Sequence, residues 1–199
     1  MKVEPHPSRR ERKKWEAEEK ILQVASSLFQ TKGFEETTLE DISEGADVSR
    51  ATLFNYFRTK EALAICISER VAVEVGNSLE LHRRRLGSIL DLLLEFFVLL
   101  AERAQNYPDV FEKASLKLAR FSLPPSGKWG DMLARFLKKG QEKGEVREDL
   151  DTHELAEIVA AIGMQCVLTW LDQQPRPSLT ELLQRRMDLL WGGVRVSKT

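Results

Sequence analysis

A short polar stretch, residues 49 to 60, carries side chains whose chemistry suits nucleic acid. Arg50, Thr52 and Asn55 are of the types that hydrogen-bond base edges, whereas Tyr56 and Lys60 suit phosphate groups. The stretch contains basic residues and no acidic residue, although the whole chain has a net charge of -1. The local excess of positive charge, rather than the overall composition, therefore indicates a nucleic-acid partner.

The residues that commonly perform catalysis or bind metals form no recognisable pattern. The three histidines, His6, His82 and His153, do not pair with Cys, Asp or Glu at the spacing of a metal site or a catalytic triad. We therefore predict that the protein is not an enzyme, with no catalytic residues, no metal site and no cofactor. Cys66 and Cys166 lie within apolar patterns, which indicates buried thiols rather than a disulfide.

Helical periodicity determines how the polar stretch is positioned. The apolar spacing predicts a first helix that ends before Gly33 and a second, short helix over residues 39 to 45. Thr38, with Asp41 three residues later, is a capping-box pattern at the start of that second helix. Ser49 can cap a third helix that runs to about Phe57.

Two short helices joined by a turn at residues 46 to 48 favour a helix-turn-helix. On the third helix Leu53 and Phe57 are four residues apart and can face the core, which leaves the polar side chains outside. The alternative for this pattern is an ordinary helical hairpin inside a bundle.

Further helices are predicted at 60 to 81, 86 to 106, 108 to 121, 127 to 143, 152 to 172 and 179 to 192. The chain has 199 residues, of which 42% are apolar and 31% charged, as is typical of a globular protein. Even the most apolar stretch, residues 90 to 101, is interrupted by Asp91 and Glu95. We therefore predict no membrane association and a cytoplasmic location.

Residues 37 to 62, TTLEDISEGADVSRATLFNYFRTKEA, resemble the DNA-binding signature of the tetracycline-repressor family. The resemblance includes the preceding helix, and a weaker similarity covers KGEVREDLDTHELAEIVAAIG at 143 to 163. It implies an all-α fold of about nine helices. Residues 1–60 would form an N-terminal arm and a three-helix helix-turn-helix DNA-binding domain. Residues 61–199 would form a helical ligand-binding and dimerisation domain.

The resemblance also implies eight DNA-contacting residues. Those that approach bases are Arg50, Ala51, Thr52 and Asn55, and those that bind phosphates are Thr38, Ser49, Tyr56 and Lys60.

Three features depart from the family pattern. Asp47 occupies a turn position where Gly is usual, and Asp tolerates the left-handed backbone better than most residues. Phe54 stands where Tyr is common and has no hydroxyl for a phosphate. The second helix is acidic at Glu40, Asp41 and Glu44, which opposes DNA and motivates an alternative function, a helical partner-binding protein without specific DNA binding.

The basic segment RRERKK, residues 9 to 14, is a second candidate for DNA contact. N-terminal arms of this kind can follow the DNA backbone or enter the minor groove. The alternative is a frayed terminus in solvent.

The second half of the chain is predicted to hold an effector pocket and a dimer interface. The pocket candidates, which are equally compatible with an ordinary core, are Phe96, Phe97, Leu100, Phe111, Phe121, Trp129, Met132, Phe136 and Trp170. The interface candidates, for which burial in the monomer is the alternative, are Ala160, Gly163, Met164, Val167, Leu183, Met187 and Leu190.

Taken with the resemblance, these patterns predict a ligand-responsive transcriptional regulator, in the sense of a repressor. It would bind a palindromic double-stranded DNA operator as a homodimer and be released by a small lipophilic or aromatic effector.

Overall fold

The computed structural model describes residues 8–82, 87–120, 128–175 and 177–194. Within these ranges the regular structure consists of nine α-helices, which confirms the predicted all-α fold. The helices are α1 (Arg9–Thr31), α2 (Leu39–Gly45), α3 (Arg50–Tyr56), α4 (Lys60–His82), α5 (Ile89–Ala104), α6 (Pro108–Arg120), α7 (Lys128–Glu142), α8 (Thr152–Asp172) and α9 (Leu179–Val194).

The chain forms two compact units, an N-terminal unit, Met1–Ile67, and a C-terminal unit, Ser68–Thr199. The division falls within α4, whereas the sequence analysis places the domain boundary at the start of that helix. The first two turns of α4 carry buried residues, Leu63, Ala64 and Ile67.

Local signals explain where most helices begin and end. Gly33 follows α1 with φ 88°, a left-handed conformation that glycine adopts without strain. The start of α5 was predicted at residue 86 but lies at Ile89. The physical reason is a capping box at Ser88, whose hydroxyl accepts from the Asp91 N–H while the Asp91 carboxylate accepts from the Ser88 N–H.

The core of the C-terminal unit is built from apolar side chains, most of them on α5, α7, α8 and α9, with further contributions from α4 and α6. Gln141 is a buried polar residue of this unit, at 4% exposure. Its Nε2 donates to the carbonyl oxygens of Arg147 and Leu150, each at 2.8 Å. Because both protons are used, Gln141 ties α7 to the segment that leads into α8.

Helix α8 is apolar on more than one side. By length and composition it could cross a membrane, and 39% of its apolar window is buried inside the chain. A helix also has this composition when one apolar face packs against its own chain and another contacts a partner subunit. This single helix is therefore weak evidence of a membrane span. Cys166 lies on the buried side of α8, as the sequence predicted, whereas Cys66 on α4 is only half-buried. Neither forms a disulfide, as predicted.

Candidate DNA-binding site

Helix α3 is anchored by two side chains and capped at its start. Leu53 is fully buried and Phe57 is 5% exposed, so the predicted inward face is confirmed. The Ser49 hydroxyl accepts from the Thr52 N–H at 3.1 Å, and the two side-chain oxygens are 2.8 Å apart. This cap satisfies an N–H group that a helix start leaves without an intrahelical acceptor.

The outer face of α3 is polar and accessible. Arg50, Ala51 and Asn55 are exposed, and Thr52 is half-buried beside its cap. Phe54, one of the family departures, is 43% exposed and adds an apolar ring to this face. A seven-residue helix with one buried apolar face and one exposed face of hydrogen-bonding groups has the dimensions and chemistry needed to enter a major groove.

The turn before α3 has the geometry that the sequence predicted. Asp47 has φ 54°, the left-handed conformation for which Asp substitutes for the usual Gly. The Val48 N–H donates to the Ser43 carbonyl at 3.0 Å, which closes the turn. The backbone of α2 therefore holds the start of α3 directly.

The acidic residues of α2 are largely engaged by the protein itself. Asp41 completes the predicted capping box with Thr38 and also accepts from Lys32 Nζ at 2.6 Å. The hydrogen bond from Lys32, followed by those from Thr38, lowers the pKa of Asp41 from 3.8 to about 2. Glu40 accepts from Arg50 Nη1 at 3.3 Å, so one acid of α2 is paired with a predicted base-reading residue.

Tyr56 and Lys60, the predicted phosphate contacts, have partners within the N-terminal unit. The Tyr56 hydroxyl donates to the Lys14 carbonyl oxygen at 3.3 Å. Lys60 Nζ donates to the Phe34 and Glu35 carbonyl oxygens at 2.7 and 2.9 Å and lies 4.8 Å from the Phe34 ring centroid. The Lys60 contacts hold the turn after α1, and the Tyr56 contact joins α3 to α1. Sequence reasoning missed these roles because they join residues far apart in the chain.

Comparison with known proteins places this arrangement in a family. The model of bacterial regulatory proteins of the tetR family matches residues 21–65, which contain α2 and α3. FadR of Thermus thermophilus, a TetR-family repressor solved with lauroyl-CoA, superimposes with a TM-score of 0.70. The two are 26% identical, and the match covers 91% of this chain and 96% of FadR. This chain belongs to the tetR family.

Two further matches agree with that assignment. The A-factor receptor protein of Streptomyces griseus is 31% identical over 150 residues, a match that covers 74% of this chain. The match spans about half of that receptor, 53% of its length. RolR, solved with resorcinol, has the same fold, with a TM-score of 0.68 at 19% identity, covering 94% of this chain and 91% of RolR.

Most of the pocket candidates of this tetR-family chain lie in the core of the C-terminal unit. Those exposed by 7% or less are Phe96, Phe97, Leu100, Phe111, Trp129, Met132 and Phe136. Trp170 is half-buried, and its indole Nε1 donates to the Pro177 carbonyl at 3.0 Å. Phe121 lies outside the described residues. The effector role of these residues remains a prediction.

The interface candidates divide into two groups. Those already buried within the single chain are Ala160, Gly163, Val167, Leu183 and Met187. Met164 and Leu190 are half-buried and retain surface for a partner. Two residues that the prediction omitted are more accessible: Ile158 on α8 is 41% exposed and Leu189 on α9 is 80% exposed. The sequence signal that could have identified Ile158 and Leu189 is an apolar residue outside the apolar stripe of an amphipathic helix.

Proposed function

We propose that this chain is a ligand-responsive transcriptional regulator that binds operator DNA through α2 and α3. The observation that carries the proposal is the outer face of α3, where Arg50, Ala51 and Asn55 are exposed while Leu53 and Phe57 lock the helix from below. Arg and Asn make the bidentate contacts that distinguish guanine and adenine in the major groove. Thr52 can add a hydroxyl contact beside them.

We further propose that two copies associate through the outer faces of α8 and α9. Ile158 and Leu189 are exposed apolar residues on these helices, and Ile162 and Leu190 are half-buried near them in sequence. Exposed side chains of this kind are stabilised when a second copy covers them. A symmetric dimer presents two α3 helices, which requires a roughly palindromic operator.

The effector that we propose is a molecule with a substantial apolar part. In the part of the chain that the structure describes, the core of the C-terminal unit is largely apolar, and its buried Gln141 already uses both amide protons. A charged group inserted among these apolar side chains without a partner would cost several kcal/mol. The lauroyl-CoA of Thermus FadR and the resorcinol of RolR illustrate the two classes to test, an acyl chain and a small aromatic ring.

In this proposal the effector favours a form of the dimer with low operator affinity, so the protein represses without effector and releases DNA with it. It would act in the cytoplasm, where its DNA is found. Because the coupling is reciprocal, operator DNA must weaken effector binding by the same factor.

The experiment that tests the DNA-binding proposal is selection of bound fragments from genomic DNA by the purified protein, repeated at two salt concentrations. We expect an enriched palindrome and binding that weakens as salt rises. The matched control is the double variant Arg50→Ala, Asn55→Ala, which keeps Leu53 and Phe57 and should fold but lose the enrichment. A folded wild-type protein that enriches no sequence would contradict the proposal.

The effector classes can be separated with the selected operator in hand. Lauroyl-CoA and resorcinol are each titrated into the protein–operator complex, and dissociation is followed by fluorescence anisotropy. We expect release by one of the two compounds. For lauroyl-CoA the control is free coenzyme A, which should have no effect at the same concentrations, and release by free coenzyme A alone would contradict an apolar effector site.

A further inference from the structure

The first two turns of α1 extend beyond the core of the N-terminal unit. The first buried residue of this helix is Ile21, although the helix begins at Arg9. The twelve residues from Arg9 to Lys20 span roughly 18 Å at 1.5 Å per residue. We call the segment Arg9–Trp15 the α1 overhang. The sequence analysis treated residues 9–14 as an N-terminal arm or a frayed terminus, and in the structure they are helical.

Within the described residues, the side of the overhang that continues the core-facing stripe is largely exposed. Trp15, Leu22 and Phe29 are seven residues apart and therefore lie on one side of α1. Leu22 and Phe29 are 5% and 6% exposed, whereas Trp15 is 65% exposed. Lys14 is seven residues before Ile21 and occupies the same side. The large Trp15 indole and the Lys14 side chain therefore lie exposed on this side of α1, beyond the buried part of the helix.

This surface adjoins the C-terminal end of α3. The Tyr56 hydroxyl on the last turn of α3 donates to the Lys14 carbonyl oxygen. A phenol has one proton, so Tyr56 in this arrangement cannot also donate to a phosphate. The contact instead places the Lys14 backbone next to the helix that enters the groove.

The overhang is also strongly basic. Arg9, Lys13 and Lys14 are exposed, and Arg12 makes an exposed pair with Glu16 at 3.6 Å. Cations on a rigid helix beside a groove-reading helix are suited to the phosphates that border that groove. Glu40 and Asp41 on α2 are paired with Arg50 and Lys32, so the cations of the overhang are an independent source of phosphate contacts.

We propose that the α1 overhang is a second DNA-contacting surface that binds the phosphate backbone flanking each half-site. Lys13 and Lys14 neutralise phosphates, and the Trp15 ring packs on the adjoining sugar. This inference rests on the proposed DNA-binding function. The overhang is about 10 Å long at 1.5 Å per residue. A segment of this length spans at most about three base pairs, at 3.4 Å per base pair, when it lies along the DNA axis.

The test compares operator affinity over a range of salt for the wild-type protein and the double variant Lys13→Gln, Lys14→Gln. Each lost phosphate contact reduces the slope of log K against log salt by about 0.9. Because a dimer carries four of these lysines, we expect a slope shallower by about 3 to 4 and an affinity at 0.1 M salt lower by roughly 1,000- to 10,000-fold. Discrimination between the operator and point-mutated operators should be unchanged, because phosphate contacts do not read sequence.

Two controls separate this role from a general loss of charge or fold. The variant Arg135→Gln, Lys138→Gln removes the same charge from exposed positions on α7 and should retain the wild-type slope. An operator shortened by four base pairs at each end should bind the wild-type protein and the Lys13, Lys14 variant alike. Circular dichroism at rising temperature checks that both variants are folded.

Trp15 provides a second, independent readout. The other tryptophans are less exposed, with Trp129 and Trp191 at 7% and Trp170 half-buried. Operator binding should therefore reduce the quenching of tryptophan fluorescence by acrylamide, because Trp15 is the most accessible indole. This reduction should be absent in Trp15→Phe.

An unchanged salt slope in the Lys13, Lys14 variant, or unprotected Trp15 fluorescence in the complex, would overturn the overhang proposal and leave the proposed function standing. A wild-type protein that binds no operator would remove both.

Discussion

Gly163 on α8 lies against the ring of Phe97, and adding one methyl group there tests the packing of the C-terminal unit. A Cβ built on Gly163 would lie 2.1, 2.2 and 2.4 Å from three ring carbons of Phe97. Ordinary contacts begin near 3.4 Å, so the ring would have to move by more than 1 Å. Phe97 is fully buried and packs edge-on against Phe96, which leaves it little room.

Two opposing effects determine the magnitude for Gly163→Ala. Alanine in a helix interior is favoured over glycine by about 1 kcal/mol. Overpacking a close-packed core costs about 1 to 3 kcal/mol, and a rigid buried ring belongs near the upper end. We therefore expect a net loss of about 1 to 2 kcal/mol, equivalent to a Tm lower by roughly 2 to 8 °C for a chain of this size.

The assay is urea and thermal unfolding at one fixed protein concentration, because a dimer's apparent stability depends on concentration. Gly192→Ala is the matched control: it is also helical, and its Cβ would meet nothing within 4 Å. We expect that variant to be as stable as the wild type or slightly more so. Phe97→Leu should cost less stability in the Gly163→Ala background than alone, with a coupling free energy of about 0.5 to 3 kcal/mol.

A Gly163→Ala protein as stable as the wild type, with no coupling to Phe97→Leu, would refute this packing argument. If the same variant instead weakened dimerisation while leaving monomer stability intact, Gly163 would belong to the subunit interface that the sequence predicted. Analytical ultracentrifugation of the variant distinguishes the two.

Three further predictions concern the N-terminal unit. Glu40→Gln removes an exposed ion pair with Arg50 that is worth about 0.2 to 1 kcal/mol, and it should raise operator affinity by roughly 1.4- to 5-fold in titrations. Weaker binding would indicate that Glu40 positions Arg50 for base readout. Lys60→Met removes two charge-assisted hydrogen bonds to carbonyl groups and should lower unfolding stability by about 1 to 3 kcal/mol without DNA present; unchanged stability would return Lys60 to a pure phosphate role. Because the pKa of Asp41 is lowered to about 2, its ionised carboxylate stabilises the fold above about pH 4, and this stabilisation is lost as the pH falls toward about 2. The Tm difference between wild type and Asp41→Asn should therefore shrink over that interval in pH-dependent melts. A constant difference would contradict the role of the ionised carboxylate.

Local signals in the sequence were enough to predict the helices and the helical architecture of the candidate DNA-binding site. The capping pairs at Thr38 and Ser49, the left-handed positions Gly33 and Asp47, and the inward spacing of Leu53 from Phe57 each involve residues a few positions apart. Such interactions are determined by the neighbouring backbone, so they can be read without knowing what packs against the helix.

Only the tertiary structure decided which of several apolar faces is buried and which polar side chains are already engaged. The sequence placed Gly163 at a subunit interface, but its lack of a side chain accommodates Phe97 from α5, 66 positions earlier in the numbering. Lys60 and Tyr56 were assigned to phosphates, yet their hydrogen bonds reach residues 26 and 42 positions away.

These contacts depend on how helices distant in sequence pack, and helical periodicity determines only that a face is apolar, not its partner. Trp15 illustrates the same limit: its spacing from Leu22 and Phe29 marks a core-facing residue. Within the described residues its indole is nevertheless 65% exposed, because it lies on the part of α1 that precedes the buried stripe.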